Sequence, residues 1–350
     1  MIRVLVVDDS AIMRKLIVDI LKEEKDIEVV DTAKNGREAI EKAKALKPDV
    51  ITLDIEMPEM DGLEALKILK KEVPSAKVIM FSSLTQEGAK ATIEALALGA
   101  YDFVPKPSTK SFLESVKQIK DQLIPKIKSV VPIKRISPIY RPSPVKKVLK
   151  TDNFNVLGIG VSTGGPQTLM QIIPKLPKNF PVPILIVQHM PPLFTKQLAE
   201  RLDGLSQLTV KEGEQGEPIK AGVVYIAPGD FHMVVKKENE IHKIRLHQGP
   251  PRNFCRPAVD ELFESIAETY DGSSVGLILT GMGSDGKEGA KKIKEQGGVI
   301  LAQDAETSVV FGMPKAVIEA GLADEVLSLE QIPQRLKEIF KVQENAKRDV

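Results

Sequence analysis

Three side chains beyond residue 160 have the types that nucleophilic catalysis needs, and each follows an apolar run. Ser162 lies in Gly160-Val-Ser-Thr-Gly164, a G-x-S-x-G pattern in which a tight strand-to-helix turn projects the serine hydroxyl. His189 follows the next apolar run in Gln188-His-Met-Pro-Pro192, and Asp285 sits in the turn Gly281-Met-Gly-Ser-Asp-Gly286 after a third. A serine hydroxyl is a poor nucleophile without an adjacent base, and the base needs an acid to hold its tautomer. Ser162, His189 and Asp285 meet those needs. Attack at a carbonyl would create an oxyanion, for which the backbone N–H groups of the 281–283 turn, Met282 included, and of Thr163 are candidate donors.

Plainer readings exist for each residue alone. Asp285 could cap the following helix, the glycines could merely turn the chain, and a lone histidine after a strand is usually structural. Their coincidence at matching strand ends favours chemistry. The overlapping Gly158-x-Gly160 suggests a dinucleotide loop, but Thr163 stands where the third glycine is required and no acid ends the next strand. The order Ser, His, Asp also departs from the Ser, Asp, His order of α/β-hydrolases. The remaining histidines, His232, His242 and His247, fall in or beside an expected hairpin and read as partly exposed sheet residues.

The first third of the chain carries a different set. Asp8 and Asp9 follow one apolar run, Asp54 ends another, Ser82 follows a fourth and Lys106 a fifth. Asp9 and Ser10 could serve as helix caps. Three carboxylates in one crevice repel unless a cation neutralises them, and an oxygen-rich site suits Mg²⁺. One carboxylate could then attack a phosphoryl group, with the Lys106 ammonium and the Ser82 hydroxyl balancing charge on the transferred oxygens.

These residues need parallel strands to bring them together, and the pattern supplies them. Apolar runs at 2–7, 28–31, 50–53, 78–81 and 102–104 alternate with amphipathic stretches at 12–22, 37–45, 63–70, 89–98 and 112–123. That alternation predicts an α/β fold, a doubly wound five-stranded parallel domain over residues 1–126. From residue 125 to 150 come five prolines and eight Lys or Arg with no Asp or Glu, so residues 127–152 read as a basic Pro-rich linker. Strand candidates at 156–159, 184–188, 223–227, 275–280 and 298–301 predict a larger α/β domain over 153–345. Its sheet is expected to be mainly parallel, with a hairpin at 233–235 and 241–246.

Composition narrows the function. Lys and Arg total 49 against 48 Asp and Glu, and there is no Trp, so neither a basic field nor stacking platforms favour nucleic acid. The single cysteine, Cys255, cannot form an internal disulfide, which fits a reducing compartment. The start MIRVLVVDDS leaves no room for a signal peptide, and the long uncharged run at 153–174 reads as strand, Gly-rich loop and helix. The expectation is a cytoplasmic protein without membrane insertion.

The set Asp8-Asp9, Leu53-Asp54-Ile-Glu-Met-Pro58 with Asp61-Gly62, Ser82 and Lys106-Pro107 resembles the receiver domain of response regulators. Ser162-Thr-Gly-Gly-Pro166, Gln188-His-Met-Pro-Pro192 and Leu279-Thr-Gly-Met-Gly-Ser-Asp-Gly286 resemble the chemotaxis protein-glutamate methylesterases, which join a receiver to an esterase in this order. The resemblance implies Asp54 as phosphoacceptor, Asp8, Asp9 and the Glu56 carbonyl as further Mg²⁺ ligands, Phe103 as switch aromatic, and a cis Lys106–Pro107 bond. It also implies demethylation and deamidation of chemoreceptor cytoplasmic domains, with a histidine kinase as phosphodonor. The rivals are receiver-controlled output units that bind DNA or nucleotides. DNA binding needs a helix-turn-helix and a basic face, neither of which follows residue 151.

Overall fold

The structure, a computed structural model, describes residues 1–107, 111–130 and 153–342. The chain divides into two compact units, Met1–Tyr140 and Arg141–Val350.

The first unit runs β1 (Ile2–Val7), α1 (Ala11–Lys22), β2 (Ile27–Ala33), α2 (Gly36–Leu46), β3 (Val50–Asp54), α3 (Gly62–Glu72), β4 (Lys77–Ser82), α4 (Gln86–Ala97), β5 (Asp102–Pro105) and α5 (Phe112–Ser129). Its strands are parallel in the order β2-β1-β3-β4-β5. β3 is buried along its whole length, as expected of a strand covered by helices on both faces. Ser10, Asn35, Asp61, Thr85 and Ser111 each cap a helix by accepting an N–H three residues on. Because Ser10 caps α1, Asp9 is not needed as the cap.

Two expectations fail in this unit. α5 does not stop before Pro125 but continues to Ser129, past the expected start of the linker. Buried Leu123, Ile124 and Ile127 hold the last turns against the core and outweigh the helix-breaking cost of the proline. The Lys106–Pro107 bond is not cis; among the described residues the only cis bond is Arg256–Pro257. Most of the expected linker, 131–152, and residues 343–345 lie outside the described residues.

The second unit comprises β6 (Val156–Val161), α6 (Gly165–Ile172), β7 (Ile184–Gln188), α7 (Phe194–Leu205), β8 (Thr209–Glu212), β9 (Val223–Ile226), β10 (His232–Glu238), β11 (Ile241–His247), α8 (Val259–Thr269), β12 (Ser274–Ile278), α9 (Lys287–Glu295), β13 (Val299–Gln303), α10 (Met313–Glu319), β14 (Glu325–Leu327) and α11 (Ile332–Ile339). Seven strands form a parallel sheet, β14-β13-β12-β6-β7-β9-β8, and β10 with β11 forms the hairpin. The short edge strands β8 and β14 were not foreseen. The hairpin strands are longer than expected: pairing extends to Glu238↔Ile241 and leaves only Asn239 and Glu240, both with positive φ, in the turn.

Gly160 on β6 has a packing purpose. A Cβ there would lie 2.4 Å from Val259 Cγ1, so the glycine lets α8 close on the sheet rather than cradling a phosphate. In both sheets the strand order reverses beside the first strand, between β1 and β3 and between β6 and β12. A crevice opens outside the carboxyl ends there. No helix among the described residues is long and apolar enough to cross a membrane.

Candidate active site

Asp8 follows β1 and Asp54 ends β3, so the first reversal places both carboxylates in one crevice with Asp9. Ligand atoms of the three lie within 4.8 Å of one another. Lys106, just past β5, puts its Nζ 2.7 Å from Asp54 Oδ2 and 3.6 Å from Asp8 Oδ2. Burial pushes the Asp54 carboxyl up to about 6 although Lys106 pulls against it, and burial likewise raises Asp8. Asp8 Oδ2 is buried without a hydrogen-bond partner. A small hard cation fits that orphaned oxygen and the converging carboxylates. The Ser82 hydroxyl is turned away, donating to Gly88 O at 2.9 Å. Phe103 is already buried, with Lys126 Nζ 5.4 Å from its ring centroid.

The second reversal assembles Ser162, His189 and Asp285. The Ser162 N–H donates to Thr280 O, and the His189 N–H to Val161 O, which fixes the serine turn between the ends of β12 and β7. Gln188 Nε2 donates to Ser162 O, and Thr280 Oγ1 to Thr163 O. Gly164 adopts φ +75°, a conformation glycine reaches freely, and turns the chain into α6.

His189 Nε2 donates to Asp285 Oδ2 at 2.8 Å, leaving Nδ1 as the nitrogen that can act as base. Burial opposes a charged imidazole, but Asp285 and Cys255 more than compensate and hold the His189 pKa above its ordinary value. The same partnership overcomes burial at Asp285 and keeps its carboxyl low. Nδ1 faces Cys255 Sγ at 3.6 Å, and among the described residues Ser162 Oγ makes no hydrogen bond to the ring. The N–H of Gly281 is spent on Val310 O, whereas those of Thr163 and Met282 meet no protein acceptor among the described residues.

The model of the CheB methylesterase family matches residues 157–336, which is 180 of 350. The chain belongs to the CheB methylesterase family. The response regulator receiver domain model matches residues 4–117. A protein-glutamate methylesterase/protein-glutamine glutaminase of Thermotoga maritima is 51% identical over 340 residues, covering 97% of this chain and 98% of the relative. One of the same name from Pyrococcus abyssi is 46% identical over 340 residues, covering 95% and 92%. The crystal structure of the Thermotoga maritima CheB methylesterase catalytic domain matches with a TM-score of 0.53 at 54% identity, covering 54% of this chain and all of that one.

Within this member of the CheB family several site residues escaped the sequence reading. Asp285 does cap a helix, but a distant one: it accepts the N–H groups of Val259 and Asp260 at the start of α8, where Ala258 offers no side-chain cap. Asn253 Nδ2 bridges Asp285 Oδ1 and Asp260 Oδ2, each at 2.9 Å. His232 is not partly exposed but fully buried. Its Nδ1 accepts the Ala258 N–H at 3.2 Å, so the proton is on Nε2, which donates to Pro250 O at 3.1 Å. Nothing in the spacing of residues 250–258 marks them as neighbours of His189. His242 and His247 are half-buried, as expected.

Proposed function

We infer that this chain hydrolyses γ-methyl esters of protein glutamates by a serine mechanism in its second unit, under control of phosphorylation in its first. The observation that carries the chemistry is the 2.8 Å contact of His189 Nε2 with Asp285 at the crest of the sheet that also projects Ser162. His189 Nδ1 takes the Ser162 proton as Oγ bonds to the ester carbonyl carbon, and the Thr163 and Met282 N–H groups stabilise the oxyanion. The C–O bond to the methoxy group breaks, His189 returns the proton, and methanol leaves an acyl-serine. Water, deprotonated by the same nitrogen, attacks that carbonyl, and the serine departs with a free glutamate side chain behind it. Asp285 stabilises the imidazolium at each stage. A glutamine amide can follow the same path with ammonia as leaving group.

In the first unit Asp54 is the phosphoacceptor and a histidine kinase the phosphodonor. Asp8, Asp9, Asp54 and the Glu56 carbonyl would hold Mg²⁺, which supplies charge neutralisation for the phosphoryl oxygens. Lys106 balances the remaining charge, and Ser82 reaches the phosphoryl group once its hydroxyl leaves Gly88 O. Phe103 repacks in response. The first domain runs to the end of α5 at Ser129, a linker follows to residue 152 and the catalytic domain spans 153–345; the compartment is the cytoplasm, and the substrates are chemoreceptor cytoplasmic domains.

The test is methanol release from methylated receptor by the wild type and by Ser162→Ala. Turnover by the variant above about 1% of wild type would remove Ser162 from the nucleophile's role.

A further inference from the structure

The second unit exposes few large apolar side chains. Among its described residues they are Leu193, Leu205, Ile241, Phe254 and Val309. Three of the five adjoin site residues, Val309 by contact with the serine turn and Leu193 and Phe254 along the chain. Val309 covers Gly164, whose Cβ would fall 2.5 Å from Val309 Cβ. Leu193 ends the segment that begins at His189. Phe254 lies between Asn253, which hydrogen-bonds Asp285, and Cys255, which touches His189.

Phe254 breaks two local rules at once. Arg252 and Cys255 exchange both backbone hydrogen bonds, at 3.0 and 2.9 Å, so residues 252–255 form a two-residue hairpin turn. Asn253 and Phe254 at its tip have φ of +52° and +61°. Such turns favour Asn, Asp and Gly, so Asn253 fits and a phenylalanine there is costly. It is also fully exposed. Leu193, with φ +71°, repeats the combination of a bulky apolar side chain, positive φ and exposure. Local rules are broken in this way where a site demands it.

The turn is also held firmly. Arg252 forms a two-pronged pair with Glu264 at 2.6 and 2.6 Å, and Arg256 Nε donates to Asp230 at 3.0 Å. His232 pins both flanks through Pro250 O and Ala258 N–H. The aromatic ring is thus presented from a fixed mount joined to the catalytic acid and base.

Resting on the esterase reading, we propose that Phe254, with Leu193 and Val309, forms an apolar rim that grips the protein substrate through apolar side chains flanking the target glutamate. An uncharged methyl ester among such side chains meets a rim that excludes water. A charged, solvated glutamate surface would not. Phe254 is therefore a specificity residue for the macromolecular substrate and takes no part in bond making.

The experiment compares kcat/KM of the full chain on intact methylated receptor with kcat/KM on a small ester, N-acetylglutamate γ-methyl ester amide. Phe254→Ala should lower the ratio of receptor to small ester at least tenfold, chiefly through KM on the receptor. Phe254→Leu should restore most of it. A ratio that does not move overturns the proposal, as does an equal loss on both substrates, which would make Phe254 a prop for the turn. A change confined to the activity of the unphosphorylated chain would assign the rim to the receiver and also overturn it. Wild type inactive on both esters would defeat the esterase reading itself, and the rim with it.

Discussion

Cys255 Sγ stands 3.6 Å from His189 Nδ1, the one imidazole nitrogen that Asp285 does not occupy. The half-buried thiol therefore faces the nitrogen proposed to take the Ser162 proton. It is the chain's only cysteine, so a thiol reagent has a single target. Alkylation with N-ethylmaleimide should abolish ester hydrolysis, because the adduct fills the space beside Nδ1. Cys255→Ala should resist the reagent and keep turnover within about tenfold, since a thiol–imidazole contact contributes on the order of 1 kcal/mol. Equal inactivation of both proteins would place the reagent's effect elsewhere.

Asp285→Asn should lower kcat by roughly a thousandfold to ten-thousandfold, because the amide favours the wrong tautomer while the oxyanion donors remain. The pH profile should move too. Asp285 holds the His189 pKa above its ordinary 6.5, and the base works only when neutral. Activity should therefore rise with pH through a limb lying above 6.5 in the wild type, and the limb should shift to lower pH in the variant. An unmoved limb in kcat/KM would belong to another group.

Control by the first unit should be gating rather than chemistry, since Ser162, His189 and Asp285 all lie in the second. With phosphodonor and Mg²⁺ the full chain should gain activity by about 1–3 kcal/mol of coupling, roughly 5- to 150-fold. Asp54→Ala should stay low, and a fragment beginning near residue 148 should be active without phosphodonor. A fragment no more active than the unphosphorylated chain would mean that the receiver stimulates rather than restrains.

Gly160→Ala should destabilise the second unit by about 1–3 kcal/mol, as overpacking does, because its methyl would press on Val259. Urea unfolding followed on the 153–342 portion measures this. An unchanged midpoint would show that α8 can retreat from β6.

The placement of both sites was legible because the polar residues follow apolar runs, and a parallel sheet converts that position into shared space. Asp8 and Asp54, or Ser162 and Asp285, are far apart in sequence and adjacent only through strand order. What stayed hidden depends on contacts without a periodic signature. Asn253 and Cys255 reach Asp285 and His189 from a turn whose composition announces only a turn. His232 was misjudged because alternation along β10 does not reveal that two backbone groups 18 and 26 residues away would claim its ring. The length of α5 was missed for the opposite reason: a strong local rule about Pro125 gave way to tertiary burial of Leu123 and Ile127.

Asp285 spans two tasks, holding His189 with one oxygen and tying the first turn of α8 with both. Selection for a stable helix would preserve this carboxylate even in a descendant that had stopped hydrolysing anything. Among the described residues the Ser162 hydroxyl makes no hydrogen bond and has no such second duty. In tracing which relatives of such a chain have drifted into inactive, purely regulatory roles, loss of the serine is therefore the informative event, and retention of the acid says little.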